Sequence, residues 1–421
     1  MSLSEKVLFS HPGCPPFAQQ AARALFEAEL LSAYVTTFAY QSNKRLSRAV
    51  KLAMGFLYDD PANQLARREI TEVPQRLVRT HPLPELIRTI ASRSPLGQIP
   101  ADMVWERAEL WFDKTVAEKD LNGEKAVYGY EHAAKKTFQR QKSRGGLCIY
   151  DMPICHHAKS SSLLKQAAEE YPETQTPMDA RLKRVAPRVN GRKDEELGIA
   201  DLVIAPSAFV KESLTEQGVP DSRVRVVPFG APPVVTAEPK PANRPFVFLS
   251  AGSQSVRKGT HYLLEAWRKL APVGEVELWL IGKMSLPHHL LNNLPGKVVI
   301  TPSVPRQELY RMYQRASVLV LPSLCEGFAL VITEAMANGL PVITTPNSGA
   351  LGFLTHGKDG FIVPTSDSER LAETMQWAMD HPDELAEISA NAIIRAANWQ
   401  WSDYRAKLAS EVSSFLAHQA A

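Results

Sequence analysis

Residues 321–346 read LPSLCEGFALVITEAMANGLPVITTP, and the order of apolar and turn-forming residues in this stretch decides the fold. The stretch continues a short apolar strand over 318–321 and opens into a loop that contains Gly327. A helical pattern then runs from about 329 to 338, and a second apolar strand follows over 341–344. This order predicts a strand–loop–helix–strand unit of a parallel α/β sheet. In such units, the loop after a strand and the start of the next helix lie at the edge where ligands bind.

Two carboxylates, Glu326 and Glu334, stand eight positions apart in this unit. Glu326 lies in the loop, and Glu334 lies four residues after Leu330, on a helix face shared with the N-terminal turn. The free amides of a helix start favour an anion, whereas carboxylates accept hydrogen bonds from hydroxyl groups. A phosphate site flanked by two carboxylates therefore suits a nucleotide sugar. The alternative is that both acids belong to ordinary surface loops near a helix N-terminus, where acidic side chains are stabilised in any case.

The stretch PSLCEGFALVITEAMANGLPVI resembles the E-x7-E signature of the retaining family 4 glycosyltransferases, which have the GT-B fold. The resemblance continues at SAGSQSVRKGTHYLLEAW (250–267), ADLVIAPSAFVKESLTEQGVPDSRVRVVPFGAP (200–232) and HGKDGFIVPTSD (356–367). It covers roughly residues 195 to 370, whereas the N-terminal half matches only in layout and in scattered stretches. It implies an α/β protein of the GT-B fold, in which two Rossmann-like doubly wound domains face a cleft.

The resemblance also implies roles for the residues of the signature. Glu326 would bind hydroxyls of the donor sugar near the reacting carbon, and Glu334 would bind the ribose hydroxyls. The sugar and the diphosphate would contact the backbone amides of Gly327, Phe328, Ala329 and Leu330. The implied reaction retains the configuration at the anomeric carbon, and a phosphate oxygen of the donor accepts the proton of the attacking hydroxyl. Such an enzyme needs no separate base, no metal and no cofactor, because the nucleotide sugar is a co-substrate.

A second loop, from Gly252 to Gly259, follows a predicted strand and precedes a predicted helix, which places it at a ligand edge as well. Fixed cations there stabilise the negative charge that develops on a diphosphate leaving group. Lys258 aligns with the lysine that family members use on the diphosphate, and Gly252 would also contact the donor. Many members carry an arginine directly after the glycine, where this chain has Ser253, and we expect Arg257 to supply the second cation instead. The alternative is that Arg257 is a solvated loop charge.

The N-terminal half offers three further candidates. Gly13 lies in a turn-rich loop after the first predicted strand, where it would let the backbone approach the donor phosphate or would simply serve the turn. Many family members have a histidine at the end of the strand over 147–150, where our alignment places Asp151. Either Asp151 takes over this polar contact on the acceptor side, or His156 does so. The alternative is that His156 and His157 are ordinary surface or core histidines.

Length and composition indicate a globular protein of two domains. The chain has 421 residues, 44% of them hydrophobic and 22% charged, and this length exceeds what one hydrophobic core usually serves. The segment 231–245 contains five prolines and predicts a linker. We therefore expect an N-terminal acceptor-side domain over 1–235 and a nucleotide-sugar donor domain over 236–400. As is common in GT-B proteins, a last helix over about 402–418 is expected to pack back on the first domain.

Charge and cysteine content exclude several other classes. The net charge is only +3, whereas binding to nucleic acid would need a strongly basic stripe or a nucleic-acid motif. The cysteines are too few for a disulfide framework and lack the usual zinc spacing, so we expect buried thiols in a reducing cytoplasm and no metal. They are Cys14, Cys148, Cys155 and Cys325.

Membrane contact, if there is any, is expected to be peripheral. We find no pattern of a signal peptide and no apolar run long enough for a transmembrane helix. The predicted helix 135–144 is basic, and its cationic face would either dock on the anionic inner face of the membrane or remain a solvated helix face. Phe138 is its one large apolar anchor.

The sequence thus predicts a retaining glycosyltransferase that moves a sugar from a nucleoside-diphosphate sugar to a carbohydrate or lipid-linked acceptor in polysaccharide or glycoconjugate biosynthesis. Two alternatives stay open. A non-catalytic GT-B subunit of a glycan-assembly complex would explain Ser253 and Asp151, which stand where the family has arginine and histidine. A nucleotide-sugar epimerase or a phosphorylase would keep the fold and change the reaction.

Overall fold

The computed structural model describes residues 3–39, 68–82, 98–235 and 244–419, and within them it leaves the side chains of 98–104 undescribed. Over these ranges, the chain forms two parallel β-sheets, of seven and six strands, and twelve α-helices. The predicted α/β class is thereby confirmed. The middle of the predicted linker lies outside the described residues.

The strands of the first sheet are β1 (Val7–Ser10), β2 (Leu31–Thr36), β3 (Val78–Thr80), β4 (Ala126–Tyr130), β5 (Leu147–Asp151), β6 (Leu202–Ala205) and β7 (Val224–Val226). Those of the second sheet are β8 (Phe246–Ala251), β9 (Val276–Ile281), β10 (Lys297–Thr301), β11 (Val318–Leu321), β12 (Val342–Thr344) and β13 (Phe361–Ile362).

The helices are α1 (Pro16–Glu27), α2 (Gln98–Lys119), α3 (Lys135–Lys142), α4 (His157–Glu170), α5 (Pro177–Ile199), α6 (Ala208–Thr215), α7 (Thr260–Leu270), α8 (Arg306–Arg315), α9 (Leu330–Ala337), α10 (Ser368–Asp380), α11 (Pro382–Ala397) and α12 (Trp401–His418). The bounds of α3, α9 and α12 fall within two residues of the sequence prediction, because apolar periodicity and turn residues mark them locally.

Both sheets have the doubly wound strand order. The first runs β3-β2-β1-β4-β5-β6-β7, and the second runs β10-β9-β8-β11-β12-β13. Each order reverses direction once, between β1 and β4 in the first sheet and between β8 and β11 in the second. Loops that leave the carboxyl ends of two strands at such a reversal diverge and open a crevice. The second sheet therefore brings the loop after β8 and the loop after β11, which carry most of the predicted site, to the same crevice.

The central strands of the second sheet are buried on both faces, as parallel sheets usually are. Every residue of β11 is buried, and β8 and β9 are buried except at their first residues. On one face, α7 contributes Trp267, which has no exposed surface and donates from Nε1 to the carbonyl of Pro295 at 2.7 Å. The buried strand β8 and the packed helix α7 therefore hold the two ends of the loop after β8 in place.

The chain divides into two compact units, one of residues 1–152, 186–204 and 405–421 and one of residues 153–185 and 205–404. The division into acceptor-side and donor domains at residue 235 stays a prediction, since it concerns their roles.

Most of α12, from Arg405 onward, belongs to the first unit. There Arg405 contacts Glu27 at 2.8 Å and Gln20 at 2.7 Å, and Lys125 donates to the carbonyl of Leu416 at 2.9 Å.

The structure corrects one expectation about the basic helix. Phe138 is fully buried, so it cannot serve as an apolar membrane anchor. Lys142 forms an ion pair with Asp201 at 2.7 Å, and Lys135 pairs with Glu195. In the part of the chain that the structure describes, no helix is long and apolar enough to cross a membrane.

Candidate functional site

The two ligand loops of the second unit touch through their backbones. Gly259 ends the loop after β8 with φ 69°, and a Cβ atom built on it would lie 1.8 Å from the carbonyl oxygen of Pro322. The amide of Leu324 donates to the carbonyl of Arg257 at 2.9 Å. Only glycine combines this left-handed conformation with this close approach. Gly259 therefore fixes how near the predicted cations come to the predicted acid.

The predicted catalytic side chains form one ion-paired cluster. Lys258 Nζ lies 2.9 Å from Glu326 Oε1, and the guanidinium of Arg257 bonds to the same oxygen. Arg257 also donates to the carbonyl of Cys325 at 3.2 Å. The side chains of Glu326, Lys258 and Arg257 are 12%, 13% and 33% exposed. Arg257 is therefore not a solvated loop charge, and the cluster carries one net positive charge at the edge of the sheet.

Gln254 shapes the cation loop, and the sequence analysis missed it. Its buried amide donates to the carbonyls of Gly252 at 3.2 Å and Ile281 at 3.1 Å, and its oxygen accepts from the Thr260 hydroxyl at 3.2 Å. Gly252 has φ 118°, and a Cβ atom there would lie 3.7 Å from Lys258 Cε. The loop is thus tied to two strands and to the start of α7, which holds Lys258 in place. A polar residue in a loop gives no sequence signal for this role.

The acid loop is held by the chain that follows β12. The amide of Glu326 donates to the carbonyl of Asn347 at 2.9 Å, and the amide of Ala329 donates to the carbonyl of Ser348 at 3.0 Å. The Ala329 amide was expected to contact the donor, and in the structure it is already hydrogen-bonded. The hydrogen bond between Ala329 and Ser348 joins two separate loops, so the local sequence pattern could not predict it. Together with the bond to Asn347, it fixes the backbone position of Glu326.

Close approaches also explain the glycine of the acid loop. A Cβ atom at Gly327 would lie 1.7 Å from the carbonyl oxygen of Pro153, which belongs to the same unit. The carbonyl of Gly327 accepts a hydrogen bond from the Ser207 hydroxyl at 2.6 Å. Phe328 is buried and makes edge contacts with Phe229 and Phe353. Leu330 begins α9, whose first amides have no acceptor within the helix.

Glu334 lies on α9 and is 7% exposed. Arg306, at the start of α8, donates from Nε to Glu334 Oε1 at 3.1 Å. Burial raises the pKa of Glu334, and the guanidinium of Arg306 opposes this rise. A carboxylate has about four acceptor positions, so it can bind Arg306 and still accept from two vicinal hydroxyls. The sequence analysis missed Arg306, because it precedes Glu334 by 28 positions in a separate helix.

Gly13 lies in the first unit, in the turn after β1. Its carbonyl accepts from the hydroxyls of Tyr34 at 3.1 Å and Thr36 at 3.2 Å, and its amide donates to His11 Nδ1 at 2.9 Å. A Cβ atom at Gly13 would meet nothing closer than 3.7 Å. The fold alone therefore does not require glycine at this position.

The two candidates for the acceptor side have different structural surroundings. Asp151 ends β5 in the first unit and accepts a hydrogen bond from the Tyr128 hydroxyl at 2.5 Å. Burial raises the pKa of Asp151 to about 7, and the hydrogen bonds from Tyr128 and Tyr130 oppose the rise. His156 belongs to the second unit and caps α4, because its Nδ1 accepts from the amide of Ala158 at 3.2 Å. All four cysteines are buried, as expected.

Known proteins resemble this chain in part of its sequence and in its fold. Residues 235–395 match the family model of glycosyl transferases group 1. Over 233 residues, the chain is 28% identical to the MMP alpha-(1->4)-mannosyltransferase of Mycolicibacterium hassiacum, a match that covers 53% of this chain and 56% of the relative. The chain spans about half, or less, of the length of the curated relatives that it matches.

Two solved structures share the fold along nearly the whole chain. Sucrose-phosphate synthase from Thermosynechococcus elongatus superposes with a TM-score of 0.66 at 18% identity, over 98% of this chain and 100% of that chain. Anabaena Alr3699/HepE in complex with UDP-glucose superposes with a TM-score of 0.60 at 18% identity, over 97% of this chain and 99% of that chain. Identity this low shows the fold alone. The chain therefore has the GT-B fold of these structures, and its residues 235–395 match the family model of glycosyl transferases group 1.

Proposed function

We propose that this protein is a retaining, metal-independent glycosyltransferase that moves a sugar from a nucleoside-diphosphate sugar to a carbohydrate or lipid-linked acceptor. The observation that carries the proposal is the cluster of Arg257, Lys258 and Glu326 at the strand-order reversal of the second sheet. Two cations held beside a carboxylate can bind a diphosphate and a sugar hydroxyl side by side. Glu334, in the helix that follows, would bind the ribose hydroxyls.

In the proposed reaction, the glycosidic bond of the donor breaks while an acceptor hydroxyl attacks the same face of the sugar. The diphosphate leaves with the bonding electrons, and its phosphate oxygen takes the proton of the attacking hydroxyl. Lys258 and Arg257 stabilise the charge that grows on the leaving group, which lowers the barrier more than it tightens substrate binding. Glu326 orients the donor sugar, and no further base is needed.

One observation supports this proposal over a non-catalytic subunit. Ser253 replaces the arginine that many family members have, but Arg257 brings a second cation to the same carboxylate as Lys258. A protein of the same fold has been crystallised with UDP-glucose, so UDP is the first nucleotide to test.

We further propose that the product serves polysaccharide or glycoconjugate assembly. Any membrane contact through residues 135–144 would be electrostatic, through the exposed Lys136 and Arg140.

The test is calorimetric titration of the full chain with UDP, GDP, ADP and CDP in the presence of EDTA. Glu334→Ala is compared with Glu308→Ala, which removes an exposed acid two residues after Arg306 in α8. Binding of one nucleotide that is lost only in Glu334→Ala supports the donor site. Absence of binding for all four nucleotides favours a non-catalytic subunit.

Donor-dependent product formation then separates the reactions that share this fold. Transfer of the sugar to an acceptor, with its anomeric configuration retained by NMR, supports the proposal. Release of a sugar epimer or a sugar phosphate identifies the alternative activities.

A further inference from the structure

The first unit contains a cavity of about 280 Å³ at the carboxyl ends of β1 and β2. It is lined by the turn 11–15, by Thr37 and Phe38 after β2, by Arg68, and by Trp105, Ala108 and Glu109 of α2. The carboxyl ends of parallel strands are where α/β sheets bind ligands. This volume is close to the roughly 300 Å³ of the smallest ligand pockets. The cavity therefore has room for about one sugar ring. None of the donor-site residues of the second unit belongs to it.

Two side chains of α2 give the cavity the chemistry of a sugar site. The indole of Trp105 is 43% exposed, and its inner neighbour is the ring of His132, parallel within 4°. Glu109 accepts a hydrogen bond from His132 Nδ1 at 2.5 Å. His132 therefore supports both the aromatic wall and the carboxylate. An aromatic face packs on the C–H groups of a sugar ring, while a fixed carboxylate accepts from its hydroxyls.

Arg68 adds a cation to a cavity that would otherwise suit a neutral sugar. It lies half-buried on the cavity wall, where water competes less for its guanidinium. A guanidinium binds phosphate and carboxylate groups through two parallel charge-assisted hydrogen bonds, whereas a neutral hydroxyl accepts a bond from it without an opposite charge.

Gly13 is the second sign that a ligand approaches this wall. Its backbone lines the cavity, and the fold would accept a Cβ atom there without a close contact. Glycine in such a place keeps the wall open to a ligand.

We propose that this cavity binds the acceptor, as a single sugar ring that carries a phosphate or carboxylate group. The proposal rests on the function proposed above and names the acceptor class. Trp105 and Glu109 hold the ring, and Arg68 selects the anionic group. Arg68 and Trp105 are thus specificity-determining residues, and they take no part in breaking the donor bond.

The experiment measures binding of three probe classes to the full chain by saturation-transfer NMR and calorimetry, with and without UDP. The probes are neutral hexoses, hexose 6-phosphates and hexuronates. One anionic class is expected to bind at least about tenfold more tightly than its neutral hexose, as a charge-assisted hydrogen bond would give. The class that binds tells whether phosphate or carboxylate is the group recognised.

Variants identify the residues responsible. Arg68→Gln should remove the preference for the anionic sugar and leave the neutral hexose within about twofold, while Arg68→Lys should restore part of it. Trp105→Ala should weaken both classes. Trp111→Ala is the matched control, since it removes an exposed tryptophan of the same helix that does not line the cavity.

Three results would overturn the assignment: equal loss of neutral and anionic sugars in Arg68→Gln, unchanged binding in Trp105→Ala, or an equal effect of Trp111→Ala. A protein that binds UDP and none of the sugars refutes the cavity and leaves the donor site standing. A protein that binds sugars and no nucleotide refutes the proposed function instead.

Discussion

Glu326→Gln provides a sensitive test of the cluster, because it should change nucleotide binding and turnover in opposite directions. The substitution removes one negative charge and almost no volume from beside Lys258 and Arg257. In the wild type, the carboxylate competes with a diphosphate for both cations. The variant should therefore bind a nucleoside diphosphate more tightly. Its turnover should fall, because glutamine is a weaker hydrogen-bond acceptor for the donor sugar.

The structure sets the size of the effect. Lys258 Nζ and Glu326 Oε1 are 2.9 Å apart, which at an effective dielectric constant of about 20 corresponds to about 6 kcal/mol of Coulomb energy. Desolvation of the charges offsets most of this energy, and hydrogen bonds to charged groups contribute about 1.5–3 kcal/mol net. If the diphosphate recovers about a third to a half of that, UDP affinity rises by about 1 kcal/mol, or about fivefold.

The assay is calorimetric titration of UDP into the wild type, Glu326→Gln and the control Glu308→Gln at low and high sodium chloride. The gain in UDP affinity should shrink at high salt, because salt screens the partly exposed guanidinium of Arg257. Turnover is measured on the same preparations with the donor that binds. Weaker or unchanged UDP binding in Glu326→Gln would show that the carboxylate does not compete with the ligand, and would refute the reasoning.

Three further predictions follow from the same geometry. Glu334→Ala should weaken nucleotide binding by about tenfold, as loss of a hydrogen bond to a charged group would. Lys258→Ala should also weaken UDP binding, but it should lower turnover by a larger factor; equal effects of both variants on calorimetric binding, with turnover unchanged, would refute these roles. Gly259→Ala should destabilise the protein by more than about 2 kcal/mol in thermal unfolding, because its Cβ atom would lie 1.8 Å from a carbonyl oxygen; the control Gly191→Ala, in an open helical position, should stabilise slightly. The pKa of Asp151 is raised from 3.8 to about 7, so between these pH values the folded state keeps a proton that the unfolded state has lost, and the stability of the wild type falls as pH rises. The melting temperature of Asp151→Asn relative to wild type should therefore increase from pH 5 to pH 8. A difference that stays constant over this range would contradict the raised pKa.

Agreement between sequence and structure is best where the signal is local. The strand over 318–321 and the helix that carries Glu334 appear almost at their predicted bounds. Apolar runs, proline and glycine act within a few residues, so they specify elements before any tertiary contact forms. The basic helix shows the limit of such patterns. Its bounds were predicted well, but Phe138 faces the core, because packing against α2 and the sheet sets which side of the helix is buried.

The amino-acid sequence by itself determined the parallel α/β class, the order of the elements, and the two loops with their acids and cations. Tertiary structure alone decided which of these groups touch. Three features join segments that are distant along the chain: the ion pair of Arg306 with Glu334, the hydrogen bond from the Glu326 amide to the Asn347 carbonyl, and the cavity beside Trp105. Such contacts depend on strand order and helix packing, which set distances to within an ångström. Local periodicity carries no information about distances on that scale, whereas hydrogen bonds and ion pairs form only when two atoms come within such distances.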